Sequence, residues 1–332
     1  MAFKSWDKTT INTKSGKKEG VAPVIISASR STDIPAFYAE WFMKRLDEGY
    51  CKWVNPFNKR PQYVSFEKAR AIVFWTKNAR PMFKYLKKLD SKNINYYFTF
   101  TVNDYEAEGL EPKVPSLESR IETFKKLSKN IGKKRVIWRF DPLILCDEVP
   151  VKKLLDKVKN VGDELFQHTE KLVISFADIE CYRKVKNNLK TSKLNNFREF
   201  GREEVEEIAK GLQQLNSEWN IQIAACAEKS DLSKYNIKHN KCIDDELMIN
   251  LWDKDSELMR FLGYEPELFP DSKSRPKLKD KGQRKECGCI VSKDIGQYNT
   301  CGHLCLYCYA NTSAKVVEKN RRNLKEDSEA II

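Results

Sequence analysis

Apolar residues fall into short continuous runs, and between the runs they recur every three or four positions. Val24–Ser29 (VIISAS), Ala71–Thr76 (AIVFWT), Tyr96–Val102 (YYFTFTV), Arg135–Phe140 (RVIWRF), Lys171–Ala177 (KLVISFA) and Ile221–Ala227 (IQIAACA) are such runs. Runs this rich in Val, Ile and Phe mark strands buried on both faces, as in a parallel sheet covered by helices. Each leads into a helical period, at about 35–48, 82–89, 117–130, 151–166, within 182–217 and at 244–252. Lys52–Phe57 and the stretch Tyr63–Phe66 read as an inserted hairpin. Six strand-then-helix units with right-handed crossovers predict an α/β fold, an open (β/α)6 TIM-like barrel rather than a doubly wound sheet. The pattern divides the chain into a flexible N-terminal segment (1–20), a partial barrel (21–265), and a C-terminal linker with a cysteine-rich cluster-binding segment (266–332). The linker is the polar, Pro-bearing stretch 270–286, and no internal repeat is evident.

A length of 332 residues with 41% hydrophobic content suits one such barrel with additions. No apolar run reaches about 18 residues, so no membrane span is expected. The first twenty residues lack the apolar core of a secretory signal, which predicts a cytoplasmic protein. The net charge of +13 leaves a nucleic-acid partner open, although the lysines are spread along the chain with no basic arm. Ten cysteines are many for a reducing compartment, and five lie between Cys287 and Cys308. Clustering of that kind points to metal binding or catalysis rather than disulfides.

Polar residues sit directly after the strands, where barrels carry their sites. They are Ser29 to Asp33, Thr76 to Asn78, Arg139 and Asp141, Asp178, and Glu228. Asp33, ahead of Ile34-Pro35, reads equally as a helix N-cap. Arg139 and Asp141 read as functional, because a charged pair abutting an apolar strand is costly to bury without a partner.

The segment Cys301-Gly-His-Leu-Cys305-Leu-Tyr-Cys308 has CxxxCxxC spacing. Three thiolates on one tight loop suit an iron–sulfur cubane with one iron left open, whereas zinc usually takes four ligands in two separated pairs. With Tyr307 before the third cysteine, the motif resembles that of the radical S-adenosylmethionine superfamily. The resemblance implies a [4Fe–4S] cluster on Cys301, Cys305 and Cys308, with S-adenosyl-L-methionine on the open iron. It also implies an electron donor such as a ferredoxin or flavodoxin, and a 5′-deoxyadenosyl radical that abstracts hydrogen from a substrate. The superfamily core is a (β/α)6 barrel, in agreement with the six units above. Its motif follows the first strand, however, and here the loop Ser29–Ile34 has no cysteine. The late position, with SASRSTDIPAFY, NPFN, VFWTKN, WRFDP and DIGQYNTC, resembles an uncharacterised bacterial family with such a cluster at its C-terminus.

Expected cofactor-binding residues are Arg30, Ser31, Arg139, Asp141 and Tyr307. The Arg139 guanidinium matches the methionine carboxylate, and Asp141 would orient it or accept from the ribose. Tyr309, Asn311 and His303 flank the thiols. Cys226, Cys242, Cys287 and Cys289 form a second group, suited to an auxiliary iron–sulfur cluster or zinc, with a plainly buried Cys226 as the alternative. Cys51, Cys146 and Cys181 read as structural. A function of another class also fits the sequence, a non-catalytic iron–sulfur or zinc protein that binds nucleic acid. No substrate and no catalytic side chain is indicated.

Overall fold

The protein is described by a computed structural model over residues 3–264, 278–325 and 327–332. Strands follow in chain order: β1 (Asp7–Thr13), β2 (Gly16–Ala22), β3 (Ile25–Ala28), β4 (Tyr50–Val54), β5 (Pro61–Ser65), β6 (Ala71–Thr76), β7 (Asn95–Thr101), β8 (Val136–Leu143), β9 (Lys171–Phe176), β10 (Gln222–Ala225), β11 (Ile237–His239) and β12 (Lys293–Asp294). Within the segment 1–20, expected to be flexible, the chain from Asp7 instead forms the β1–β2 hairpin, which ends at Ala22. Of the seven side chains of β1 only Ile11 is buried, so the alternation that marks a half-buried strand is too faint to read there. This hairpin joins the β4–β5 hairpin in a four-stranded sheet of order β1-β2-β5-β4.

The main sheet has eight strands in the order β11-β10-β9-β8-β7-β6-β3-β12, every pair parallel. The expected α/β architecture with a large parallel sheet is therefore present, with β11 and β12 added to the six strands read from the sequence. These two form its edges and are not paired with each other, so the sheet is open. Side chains alternate between its faces. On one face Ile26, Ile72, Phe74, Phe98, Phe100, Trp138 and Phe140 pack against the helices 39–48, 117–131, 151–165 and 202–219. On the other, Ile25, Ala71, Val73, Tyr97, Ile137 and Val173 pack against the helices 245–252 and 256–262 and against Ile290 and Val291 of the C-terminal segment. Further along that second face the residues turn polar, and the site begins there.

The expected linker lies outside the described residues as far as Lys277. From Leu278 onward the chain packs back onto the second face. Among the described residues no helix is long and apolar enough to cross a membrane.

Helices 151–165 and 202–219 meet closely at Gly162. A Cβ there would stand 2.1 Å from the Trp219 ring, whose Nε1–H donates to Asp163 Oδ1 at 3.0 Å. Gly162→Ala is expected to lower stability by about 1–3 kcal/mol through overpacking, despite the roughly 1 kcal/mol that alanine gains in helix propensity. Urea denaturation measures the difference. An unchanged or raised midpoint would show that the Trp219 ring has room to move.

Candidate functional site

The carboxyl ends of the parallel strands open into a cavity of ≈ 690 Å³, a size usual for small-molecule sites. The two-residue period places Trp75 of β6, Thr101 of β7, Arg139 and Asp141 of β8 and Ser175 of β9 along its wall, two or four positions beyond the apolar residues of the same face. Ser29 to Asp33 follow β3, and Cys226 follows β10. Both expected cysteine groups reach this one cavity.

The loop carrying Cys301, Cys305 and Cys308 is tied down along its length. Tyr38 Oη donates to the Thr300 carbonyl at 2.6 Å, and Asn311 Nδ2 to the Cys301 carbonyl at 2.9 Å. Leu306 N–H donates to the Leu110 carbonyl at 2.9 Å, and Lys113 N–H to that of His303 at 3.2 Å. His303 is buried, its Nε2 2.8 Å from Asp33 Oδ2 and its ring edge-on to Phe37. Tyr307 donates to Glu111, and its oxygen accepts from Lys77 at 2.9 Å and Asn103 at 3.0 Å. Glu111 is itself buried between Lys77 at 2.7 Å and Arg120 at 3.1 Å. Leu304 adopts a left-handed φ of 54°, a conformation that costs a non-glycine residue about 1–2 kcal/mol. The surrounding hydrogen bonds offset that cost. Burial pushes all three thiols up, Cys305 to about 12, so they hold their protons unless a cation takes the proton's place.

The second group is assembled from three places in the chain. Cys226 Sγ lies 3.6 Å from Cys242 Sγ, and the Cys242 N–H donates to Cys289 Sγ at 3.2 Å. Hydrogen bonds from Cys226 and Cys289, with Arg139 alongside, hold Cys242 well below the usual thiol range. As the side chains stand, no three His, Cys, Asp or Glu among the described residues surround a common point as metal ligands do.

The expected cofactor-binding residues separate into distinct settings. Arg139 is buried with Nε 3.0 Å from Asp141 Oδ2 and Nη1 2.9 Å from Cys242 Sγ, and Ser175 donates to the same Asp141. Asp141 thus does orient Arg139, but toward the second cysteine group. Arg30 also lines the cavity. Its Nη1 is 3.5 Å from Asp280, its side chain lies over Trp75, and its Nη2 is buried with no hydrogen-bond partner among the described residues. Ser31 pairs with Ser29 Oγ at 3.0 Å. Tyr307 is committed to Glu111, while Tyr309 stacks on Tyr182 and donates to the Arg30 carbonyl at 3.0 Å. Of the three cysteines read as structural, Cys51 and Cys146 are buried and Cys181 is exposed.

Two carboxylates central to this arrangement escaped the sequence reading. Glu111 sits in a loop with no periodicity. Asp294, inside the quoted run DIGQYNTC, accepts from Ser27 Oγ at 2.6 Å, Arg30 N–H at 2.8 Å and Gly296 N–H at 2.9 Å. Only their placement beside strand-end motifs could have flagged them.

The profile of a domain of unknown function, DUF1848, matches residues 25–310. The chain belongs to the DUF1848 family. The match runs from β3 past Cys308, so the DUF1848 domain contains both cysteine groups and the whole cavity wall drawn from the parallel strands. No curated protein matches the chain. Among solved structures, one of a candidate alpha-L-fucosidase from Bacteroides thetaiotaomicron is similar over 60% of this chain and 75% of that one, at 10% identity and a TM-score of 0.27. That score is too low to bear on the DUF1848 fold.

Asp33 links the two sides of the site. It caps the helix 34–37 through Ala36 N–H at 2.9 Å, as its position before Ile34-Pro35 predicts, and also accepts from Thr76 Oγ1 at 2.8 Å and Lys77 N–H at 2.7 Å. Asp33→Ala leaves these donors and His303 without their acceptor, an expected loss of about 3 kcal/mol. Asp33→Asn keeps one acceptor oxygen, and about half that loss is expected. Guanidinium unfolding curves compare the two. A cost below roughly 1 kcal/mol for the alanine variant would remove Asp33 from its linking role.

Proposed function

We propose that this protein is a radical S-adenosylmethionine enzyme whose [4Fe–4S] cluster is held by Cys301, Cys305 and Cys308. The observation that carries the reading is the opening of these three thiols into the cavity at the carboxyl ends of a parallel sheet. The donor set fits the group: three sulfurs on one loop that is immobilised by its own backbone, with Ala310 N–H 3.4 Å from Cys308 Sγ as the kind of donor that tunes cluster thiolates. Bound there, the cluster would supply the electron that cleaves S-adenosylmethionine coordinated at its open iron.

The topology supports this reading despite the late position of the motif. The cysteine loop follows β12, and β12 lies at the sheet edge in parallel beside β3. In spatial order the motif thus follows the first strand of the sheet, although in sequence order it follows the last. This supports reading the open sheet as a permuted partial (β/α) barrel of the superfamily's kind.

Arg30 is the better carboxylate ligand of the two expected arginines. Its Nη2 has no hydrogen-bond partner among the described residues, whereas Arg139 is occupied by Asp141 and Cys242. Tyr182 and Tyr309, stacked on each other beside it, offer aromatic surface for a purine.

Anaerobic reconstitution followed by iron, sulfide and 5′-deoxyadenosine analysis tests the proposal. Each of Cys301→Ala, Cys305→Ala and Cys308→Ala is expected to lose the cluster and the cleavage of S-adenosylmethionine. Full iron and sulfide in any of the three would sink the ligand assignment. Arg30→Lys loses the planar fork, so S-adenosylmethionine binding is expected to weaken about ten- to a hundred-fold with cluster content unchanged. Arg139→Lys is expected to weaken it less. Equal affinity for Arg30→Lys and the parent would exclude Arg30 as the carboxylate ligand.

A further inference from the structure

Cys226, Cys242, Cys287 and Cys289 have no part in the chemistry proposed above, yet they are drawn together from three loops. Cys226 directly follows β10 and Cys242 follows β11, at one edge of the sheet. Cys287 and Cys289 precede β12, at the other edge. The C-terminal segment crosses between these edges, with Ile290 N–H donating to the Ile243 carbonyl at 3.2 Å. Contact is close because residue 288 is glycine. A Cβ there would stand 3.0 Å from the Asn240 carbonyl oxygen.

The sulfurs are also surrounded by donors. Cys242 Sγ accepts from Arg139 Nη1 at 2.9 Å and from Asn240 Nδ2 at 3.2 Å. Cys289 Sγ accepts from the backbone N–H groups of Cys242 at 3.2 Å and Ile243 at 3.4 Å. A neutral thiol is a weak acceptor, and so many N–H groups aimed at two buried sulfurs are the surroundings of metal-bound thiolates.

We propose that these four cysteines bind a single zinc-type ion that clasps the open seam of the sheet. The spacing favours one ion over a cubane. A tetrahedral ion with metal–sulfur bonds of about 2.3 Å sets its sulfurs about 3.8 Å apart, and Cys226 and Cys242 stand at 3.6 Å. In a cubane each thiolate ends on its own iron, which spreads the sulfurs more widely. Four thiolates on a divalent ion carry a net charge of −2, and Arg139 in contact with Cys242 offsets part of it. With four protein ligands the ion has no open position, so its role is to hold the segment leading to Cys301 against β10 and β11.

The test uses the full chain with Cys301, Cys305 and Cys308 all replaced by Ala, which removes the cluster ligands and makes the outcome independent of the radical reading. Purified with zinc, it is expected to retain one zinc per chain. Cobalt in its place is expected to show the absorption of a tetrahedral thiolate site, and adding Cys287→Ser and Cys289→Ser to abolish both signals. If the triple variant does not fold, the cobalt titration is run on the parent with and without Cys287→Ser and Cys289→Ser, where the same difference is expected. The proposal is overturned by a folded protein that takes up neither metal, by iron with sulfide in the triple variant, by disulfides between the four cysteines, or by cobalt signals that survive the two serine substitutions.

Discussion

Lys293 and Asp294 run parallel to Ile26 and Ser27, and through this pairing of two residues the end of the chain reaches the carboxyl ends of the strands. So short a ladder is weak by itself. The Asp294 carboxylate reinforces it by accepting from Ser27 Oγ on the strand, from the Arg30 N–H in the next loop and from Gly296 N–H in the turn toward Cys301. Hydrogen bonds to a carboxylate contribute about 1.5–3 kcal/mol each, so this side chain supplies more than the ladder it accompanies. One anchor therefore sets both the edge of the sheet and the approach of the thiols to the cavity.

Beyond that anchor the cysteine loop depends on buried charge. Asp33 holds His303 from one side, and Glu111, flanked by Lys77 and Arg120, holds Tyr307 from the other. Burying such groups is costly unless every charge has its partner. Here the pairing is nearly complete, and the same interactions that settle the charges fix the loop. That rigidity is what a site built from three sulfurs on one turn requires. The neighbouring Arg139 follows the same rule, with Asp141 and Cys242 taking its donors.

How much of this was legible depended on range. The strands Ala71–Thr76 and Lys171–Phe176 match their apolar runs closely, because burial on both faces leaves an unbroken hydrophobic signature. The β1–β2 hairpin left no such signature, since only one side chain of β1 and two of β2 are buried. At three and two residues, β11 and β12 are too short to show any period. The cysteine residues themselves were legible from spacing, as was the capping role of Asp33. The side-by-side arrangement of β12 and β3 was not, because pairing between residues some 267 positions apart leaves no local trace. The Cys242 partner of Arg139 stayed hidden for the same reason, since it lies 103 residues away.

The late position of β12 has a consequence for biosynthesis. A polypeptide leaves the ribosome N-terminus first, and domains fold largely as they emerge. The strands from β3 to β11 are all made before Cys287, and the edge strand, the last cysteines and a short helix (314–322) follow. A cysteine motif after the first strand would spend the whole of synthesis as exposed thiols in search of partners. In this chain the final cysteines meet a wall of strands already in place, so the order of translation itself shields the most reactive side chains until their surroundings exist.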